Sequence, residues 1–302
     1  MGALLCACTP FVFEVRLMTL FGLALVLAAA FCHATWNFFV KRINGGPELV
    51  CLFSAISVVI YLPAAVYIVV TEKPAFGFWE IVFILGSAAL HLGYFLLLQQ
   101  GYRKGDLSLV YPTARATGPF LSTGFALAFL GEQITPQIAA GGVAVVAGVL
   151  CLTGGFKRGA RHVSASLLFG FAAGLLIGSY TVWDAYAVSA LFVPPILLDY
   201  ASSIGRTILL APIAAKRKAL VASHWREHRF GVVAIAVFNP LAYILVLYAL
   251  TFTPVVYVAP TREVSVLITV LMGSILLSEG NLKNRLLWAT LILFGVALLA
   301  TA

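Results

Sequence analysis

An apolar stretch long enough to cross a bilayer carries an arginine, and the chain contains it twice. Residues 105–120 read Gly-Asp-Leu-Ser-Leu-Val-Tyr-Pro-Thr-Ala-Arg-Ala-Thr-Gly-Pro-Phe and run on to Leu-Gly-Glu at 130–132. Residues 253–265 read Thr-Pro-Val-Val-Tyr-Val-Ala-Pro-Thr-Arg-Glu-Val-Ser and run on to Leu-Ser-Glu at 277–279. An arginine at mid-span costs about 2.5–3.5 kcal/mol on insertion scales, so it must face protein or water rather than lipid. A proline there frees a backbone carbonyl that a neighbour must satisfy. Both copies therefore demand partners inside the membrane.

The echo extends beyond these segments. Pro112 and Pro260 stand 148 residues apart, Glu132 and Glu279 stand 147 apart, and Trp36-Asn37 precedes Trp183-Asp184 by 147. An offset held at three places, near half the chain, predicts an internal duplication. Two repeats in a membrane chain place a substrate site where the halves meet.

Composition agrees. Hydrophobic residues make up 62% and charged residues only 10%, against about 25% charged in soluble domains. Apolar runs near twenty residues recur at 17–40, 49–71, 78–101, 106–130, 134–154, 165–186, 193–214, 230–250, 254–278 and 282–301. They predict an all-α membrane protein with ten transmembrane helices, five per half. The expected division is an extension at 1–17, a first repeat at 18–155, a linker at 156–164 and a second repeat at 165–302. Met18 opens a more conventional membrane-protein start than Met1.

The net charge of +8 does not point to nucleic acid. Lys and Arg collect in five loops, fourteen of them, against two in the N-terminal tail and the other loops. The positive-inside rule puts the five basic loops in the cytoplasm and both termini outside. The basic loops alternate in opposite phase in the two halves, and five helices per repeat is an odd number. The second repeat is therefore expected to be inverted. The longest loop, about 215–229, is basic and holds His224 and His228, which suits contact with anionic headgroups. The cysteines (Cys6, Cys8, Cys32, Cys51 and Cys151) show no metal spacing, and no metal or cofactor is implied.

Six ionisable residues fall within or beside the spans: Arg115, Asp184, Asp199, Arg206, Arg262 and Glu263. They either pair with one another to hold the bundle or line a polar cavity between the halves. Arg115 is the leading candidate, with Tyr111 one turn back and Thr117 nearby. A guanidinium binds carboxylate, phosphate or phosphonate in bidentate fashion; alternatively Arg115 neutralises Glu263 or Asp184. Arg262 and Glu263 are adjacent, so on a helix they point about 100° apart. Glu263 and Asp184 are candidates for proton coupling. Asp199, Ser203 and Arg206 share a helix face, two turns being too long for a tight direct pair. Tyr180, Trp183 and Asp184 share a face of helix six, as His33, Trp36 and Asn37 do in helix one. His91 with Tyr94, and Asn239 with Tyr243, add polar-aromatic pairs. Aromatic rings at span ends serve interface belts as well as cavities. No HExxH, GxSxG or Walker A sequence is present, so ATP-driven transport is not encoded.

The segments His-Ala-Thr-Trp-Asn-Phe-Phe-Val-Lys-Arg (33–42), Gly-Asp-Leu-Ser-Leu-Val-Tyr-Pro (105–112) and Leu-Gly-Glu (130–132), with weaker copies at 180–184, 254–261 and 277–279, resemble the EamA-type transporters of the drug/metabolite transporter superfamily. The resemblance covers residues 18–302 and does not extend to 1–17. It implies ten helices in two inverted five-helix repeats around a central cavity. Relatives move amino acids, other small metabolites and nucleotide-linked sugars. The Tyr-Pro-Thr-Ala-Arg-Ala-Thr-Gly-Pro run looks most like a branch associated with phosphonate-utilisation genes.

The expectation is a non-enzymatic secondary transporter in the bacterial inner membrane. It would move a small polar, anionic or zwitterionic metabolite by alternating access, as a monomer or homodimer among membrane lipids. Arg115 and Arg262 would bind the anionic group. Tyr111, Thr117, His91, Tyr180, Trp183 and Tyr243 would shape the site. The rivals are a flippase for a lipid-linked substrate, which needs a lateral opening, and a membrane enzyme acting on a lipid head group, which needs clustered catalytic groups.

Overall fold

The computed structural model describes residues 18–104, 107–152, 163–276 and 282–302. The extension at 1–17, most of the linker and Glu279 lie outside them. The described residues form helices and connections, with no strand among them.

The first half comprises α1 (Leu20–Ile43), α2 (Pro47–Thr71), α3 (Phe78–Lys104), α4 (Leu107–Phe125) and α5 (Pro136–Leu152). The second half comprises α6 (Val163–Ser189), α7 (Pro195–Lys216), α8 (Lys218–Leu250), α9 (Val255–Thr261), α10 (Val264–Leu276) and α11 (Leu282–Ala300). Local chemistry sets several ends. Thr19 caps α1 by accepting the Gly22 amide at 3.0 Å, and Asn44 closes it in the left-handed region. Proline, whose missing N–H is no loss in a first turn, opens α2, α5 and α7. After Phe125, α4 continues as a π-helical turn, Ala126–Leu130, which Gly131 ends at φ +68°.

By length and composition, six described helices can cross a membrane: 20–40, 47–71, 78–98, 164–189, 195–216 and 218–250. Their outward faces carry Val59, Tyr67, Phe78, Phe171 and Ile208, large apolar side chains left exposed, as lipid contact requires. The chain is a multi-pass membrane protein.

Two expectations need correction. The basic stretch 215–229 is not a loop. Helix α8 starts at Lys218 and departs from helical geometry only at His228, with φ −132° and ψ 25°. Ala219, Leu220, Ala222, Arg226 and Glu227 favour helix, and no glycine or proline interrupts them. The expected ninth span is also not one helix but two, α9 and α10, separated at Arg262-Glu263.

Helices from opposite halves pack most extensively: α4 on α6, α1 on α8, α5 on α11, α2 on α7 and α3 on α6. Small residues allow the close approaches, as expected where lipid offers no hydrophobic drive. Gly170, Gly174 and Gly178 form a ridge on α6, one per turn. A Cβ at Gly170 would stand 2.6 Å from the Thr113 Cβ, and one at Gly178 would stand 2.9 Å from the Leu121 Cβ. At Gly174 it would collide with the Thr117 hydroxyl. Between α5 and α11, Gly141 and Gly295 meet in the same way, each Cβ position lying against the other's carbonyl at 2.9 and 2.7 Å.

Candidate functional site

The break between α9 and α10 is visible in its hydrogen bonds, where the chain tightens after Pro260. The Glu263 amide donates to the Pro260 carbonyl at 3.0 Å, Ser265 to Arg262 at 3.1 Å and Val266 to Glu263 at 2.9 Å. These three-residue bonds replace α-helical ones. Arg262 and Glu263 therefore sit on a tight turn and not on a helix, which overturns the 100° argument. Both are buried, at 6% and 1% exposure.

Arg115, on α4 and also buried, reaches this turn. Its Nη2 lies 2.8 Å from Glu263 Oε2 and donates to Ser265 Oγ at 3.2 Å. An offset of 148, taken from the prolines, makes Glu263 itself the counterpart of Arg115. The two repeats thus meet through equivalent positions that carry opposite charges. Arg262 is the extra charge. Its Nε and Nη2 have no hydrogen-bond partner among the described residues. Arg115 and Arg262 both lie within electrostatic reach of His33 on α1.

A second cluster joins α3, α6 and α8. Asp184 is fully buried. Its Oδ2 lies 3.0 Å from His91 Nε2 and accepts the Tyr243 hydroxyl, while Oδ1 has no partner among the described residues. His91 stacks on Tyr180 with ring centres 4.0 Å apart and meets Tyr243 edge-on at 4.9 Å. Tyr180 links the two clusters, since Arg115, Arg262, Glu263 and Asp184 all act on it electrostatically. Tyr94 packs edge-on against it at 5.9 Å.

The structure thus gathers His91, Arg115, Tyr180, Asp184, Tyr243, Arg262 and Glu263 around the meeting of the halves. Trp183 points elsewhere: it stacks on Phe83 at 4.1 Å and donates to the Phe83 carbonyl at 2.8 Å. Thr117 donates to the Thr113 carbonyl at 2.7 Å and packs on Gly174. Tyr111 belongs to α4, but its side chain lies outside the described residues. Asp199 and Ser203 line a crevice with Ser57 and Tyr61, and Arg206 donates to Ser203 at 3.0 Å. Among the described residues no group of three His, Cys, Asp or Glu could hold a metal ion.

Three features escaped the sequence reading. Glu132, in the connection after the π turn, accepts the Val255 and Val256 amides at 2.7 and 2.9 Å and so caps α9 across the halves. Burial pushes its carboxyl above the usual range, and the two amides oppose that. The repeated Leu-x-Glu ending was its visible signal. The glycine ridge of α6 was visible as three glycines at four-residue spacing. Glu48, 2.9 Å from Arg217, ties α2 to the α7–α8 junction and left no sequence signal. A lateral apolar groove of about 190 Å³ also opens between α4, α5 and α9, lined by Phe120, Leu127, Ile138, Val143, Val256 and Pro260 among others.

Two helical repeats, each matched by one transporter family, make this a membrane transporter of the drug/metabolite superfamily. The chain belongs to the EamA-like transporter family, which matches residues 20–154 and again 164–301. Among 28 matching chains of solved structures, one titled "Crystal structure of protein" has a TM-score of 0.71 and 15% identity, and the match covers 92% of this chain and 95% of that one. It shares the fold. None of the curated proteins matches the chain.

Proposed function

We propose that the protein is a secondary transporter of the bacterial inner membrane that moves a small polar, anionic or zwitterionic metabolite by alternating access. One observation carries this reading: the Arg262 guanidinium is buried with two nitrogens unpartnered among the described residues, beside an Arg115–Glu263 pair that is already neutral. Buried guanidinium donors left without acceptors are costly, and a substrate carboxylate or phosphonate would relieve them through bidentate bonds. Arg115 positions Glu263 and contributes field. His91, Tyr180 and Tyr243 form the aromatic wall, and the Asp184 carboxylate gives a zwitterion's ammonium a partner.

Ten spans in two inverted repeats remain part of this proposal. Helix pairing supports it. Under the repeat correspondence, α1 on α8 exchanges with α6 on α3, while α2 on α7 and α5 on α11 map onto themselves. The opposite phase of the basic loops supports it as well. A discontinuous helix at the repeat interface is where such transporters place their substrates, and α9–α10 is one.

The test is uptake and counterflow in proteoliposomes against amino acids, carboxylates and phosphonates, with and without a pH gradient. The expected result is movement of an anionic or zwitterionic compound, reduced at least tenfold in Arg262→Ala with the protein still folded. Normal transport by Arg262→Ala makes that arginine structural and removes the anionic-substrate reading. The lateral groove favours the flippase as second reading. Movement of a lipid-linked compound alone, blocked by Val143→Trp, would select it.

A further inference from the structure

We infer that Asp184, held by His91 and Tyr243, is the proton-coupling site of this transporter, with the proton carried on Oδ1, and that Glu263 is not. The word coupling rests on the transport reading; the proton site does not.

The two buried acids differ in what a proton would leave behind. A proton on Glu263 would strip the counter-ion from Arg115 at 2.8 Å with Arg262 next in the chain. Arg115 would then lose a buried carboxylate partner with a second guanidinium close by, and breaking a buried ion pair is costly. Among the described residues no lysine or arginine contacts Asp184. Its Oδ2 already faces two partners, His91 Nε2 and the Tyr243 hydroxyl. Its Oδ1 is fully buried with no hydrogen-bond partner among the described residues, and so is Glu263 Oε1; the two acids are told apart by the arginine ion pair, which a proton on Glu263 would break and a proton on Asp184 would not. His91 keeps some exposure, 14% of its side chain, and so gives the dyad a route to water.

The surrounding charges come from every neighbouring element. Helix α3 presents His91 and Tyr94, α6 presents Tyr180, and α8 presents Tyr243. Helix α7 adds Asp199, which acts on both His91 and Asp184 and is itself answered by Arg206. Arg115, Arg262 and Glu263 act electrostatically on Tyr180, and the two arginines act on His33. An anion arriving at Arg262 and a proton arriving at Asp184 sum to zero charge. Either one alone would carry net charge through a low-dielectric interior. The arrangement is therefore suited to moving both together.

The deciding measurement needs no cargo. Full-length protein in liposomes is titrated with acid, and the carbonyl stretch of protonated carboxyl groups is followed by infrared difference spectroscopy. A band is expected that is absent in Asp184→Asn and present in Glu263→Gln and Asp199→Asn. Tyr243→Phe, which removes one hydrogen bond and no charge, should shift the frequency of that band without abolishing it. Loss of the band in Glu263→Gln or Asp199→Asn instead, or no titrating band in the wild type, overturns the assignment. So does a band indifferent to Tyr243→Phe. Adding methylphosphonate, acetate or glycine as probes at constant pH should enlarge the band for whichever the protein binds, and should not do so in Arg262→Ala. A probe that moves in proteoliposomes yet leaves the band unchanged removes the coupling. If no probe moves, the transport reading fails while the band still reports on Asp184.

Discussion

Helix α4 and the α9–α10 pair carry the same motif and fold differently. Pro112-Thr113-Ala114-Arg115 lies inside one continuous helix, whereas Pro260-Thr261-Arg262-Glu263 ends one helix and turns into the next. Both have the proline, so the proline alone does not make the break. What differs is the support. Helix α4 lies along the glycine ridge of α6, with Thr113, Thr117 and Leu121 each seated on a glycine. Helix α9 is short, starts at Pro254, and is capped from the other half by Glu132. A chain held at its start, and not along its length, can tighten into three-residue bonds after Pro260. The break turns Arg262 and Glu263 inward together, which a straight helix could not do.

The largest expected effect tests the charge pair that joins the two regions. Glu263→Ala leaves Arg115 and Arg262 buried without their carboxylate and should cost about 3–5 kcal/mol, read as a collapse of the monodisperse fraction after heating in detergent. Arg115→Ala together with Glu263→Ala should cost less than the single Glu263 change, because the stranded partner is gone. Since Arg115 and Glu263 are counterparts in the two repeats, the exchanged pair Arg115→Glu with Glu263→Arg should recover part of the stability. No recovery would mean that the two repeats differ too much locally for the equivalence to matter.

Next comes the ridge that keeps α4 straight. Gly174→Ala puts a methyl against the Thr117 hydroxyl and should destabilise by about 1–3 kcal/mol, as overpacking does. Gly142 on α5 meets nothing within 4 Å, and Gly142→Ala should be neutral or slightly stabilising in the same assay. Equal effects at the two sites would show that backbone entropy, and not contact across helices, governs both.

The ridge also marks what could be read from the chain and what could not. The membrane class, the duplication and the candidate charges were legible because bilayer thickness, insertion cost and loop charge act on local sequence. Arg115 was found from its position in one span. Its partner was not fixed, and the sequence left Glu263 and Asp184 both open. The obvious alignment set arginine against arginine, but the proline offset sets Arg115 against Glu263 and leaves Arg262 unmatched. Helical geometry was assumed at 262–263, where the chain turns, and loop geometry at 218–227, where it is helical. Those errors have one cause. Whether a proline bends a helix, or a basic stretch coils, depends on packing that periodicity does not reveal.

Smaller effects are expected at the start of α9. Glu132→Ala removes the acceptor of two amides and should cost about 0.5–2 kcal/mol, the range of a lost helix cap. Glu132→Gln keeps one acceptor oxygen and should cost less. A loss in Glu132→Gln equal to that in Glu132→Ala would assign the contribution to charge rather than to the hydrogen bonds.

The smallest effect is expected at Pro260 itself. Pro260→Ala restores an amide that could donate to Val256, and an isolated helix would respond by straightening. Here the turn after it is closed by bonds from Glu263, Ser265 and Val266, and the Arg115–Glu263 pair locks it from across the interface. None of these uses the Pro260 nitrogen. Pro260→Ala should therefore change stability by about 1 kcal/mol or less, the amide gained offsetting the ring's fixed backbone, and should leave Arg262-dependent uptake intact. A stabilised variant that has lost uptake would reverse the argument: the proline would then be what holds the helix open, at a cost in stability, so that Arg262 can face the substrate.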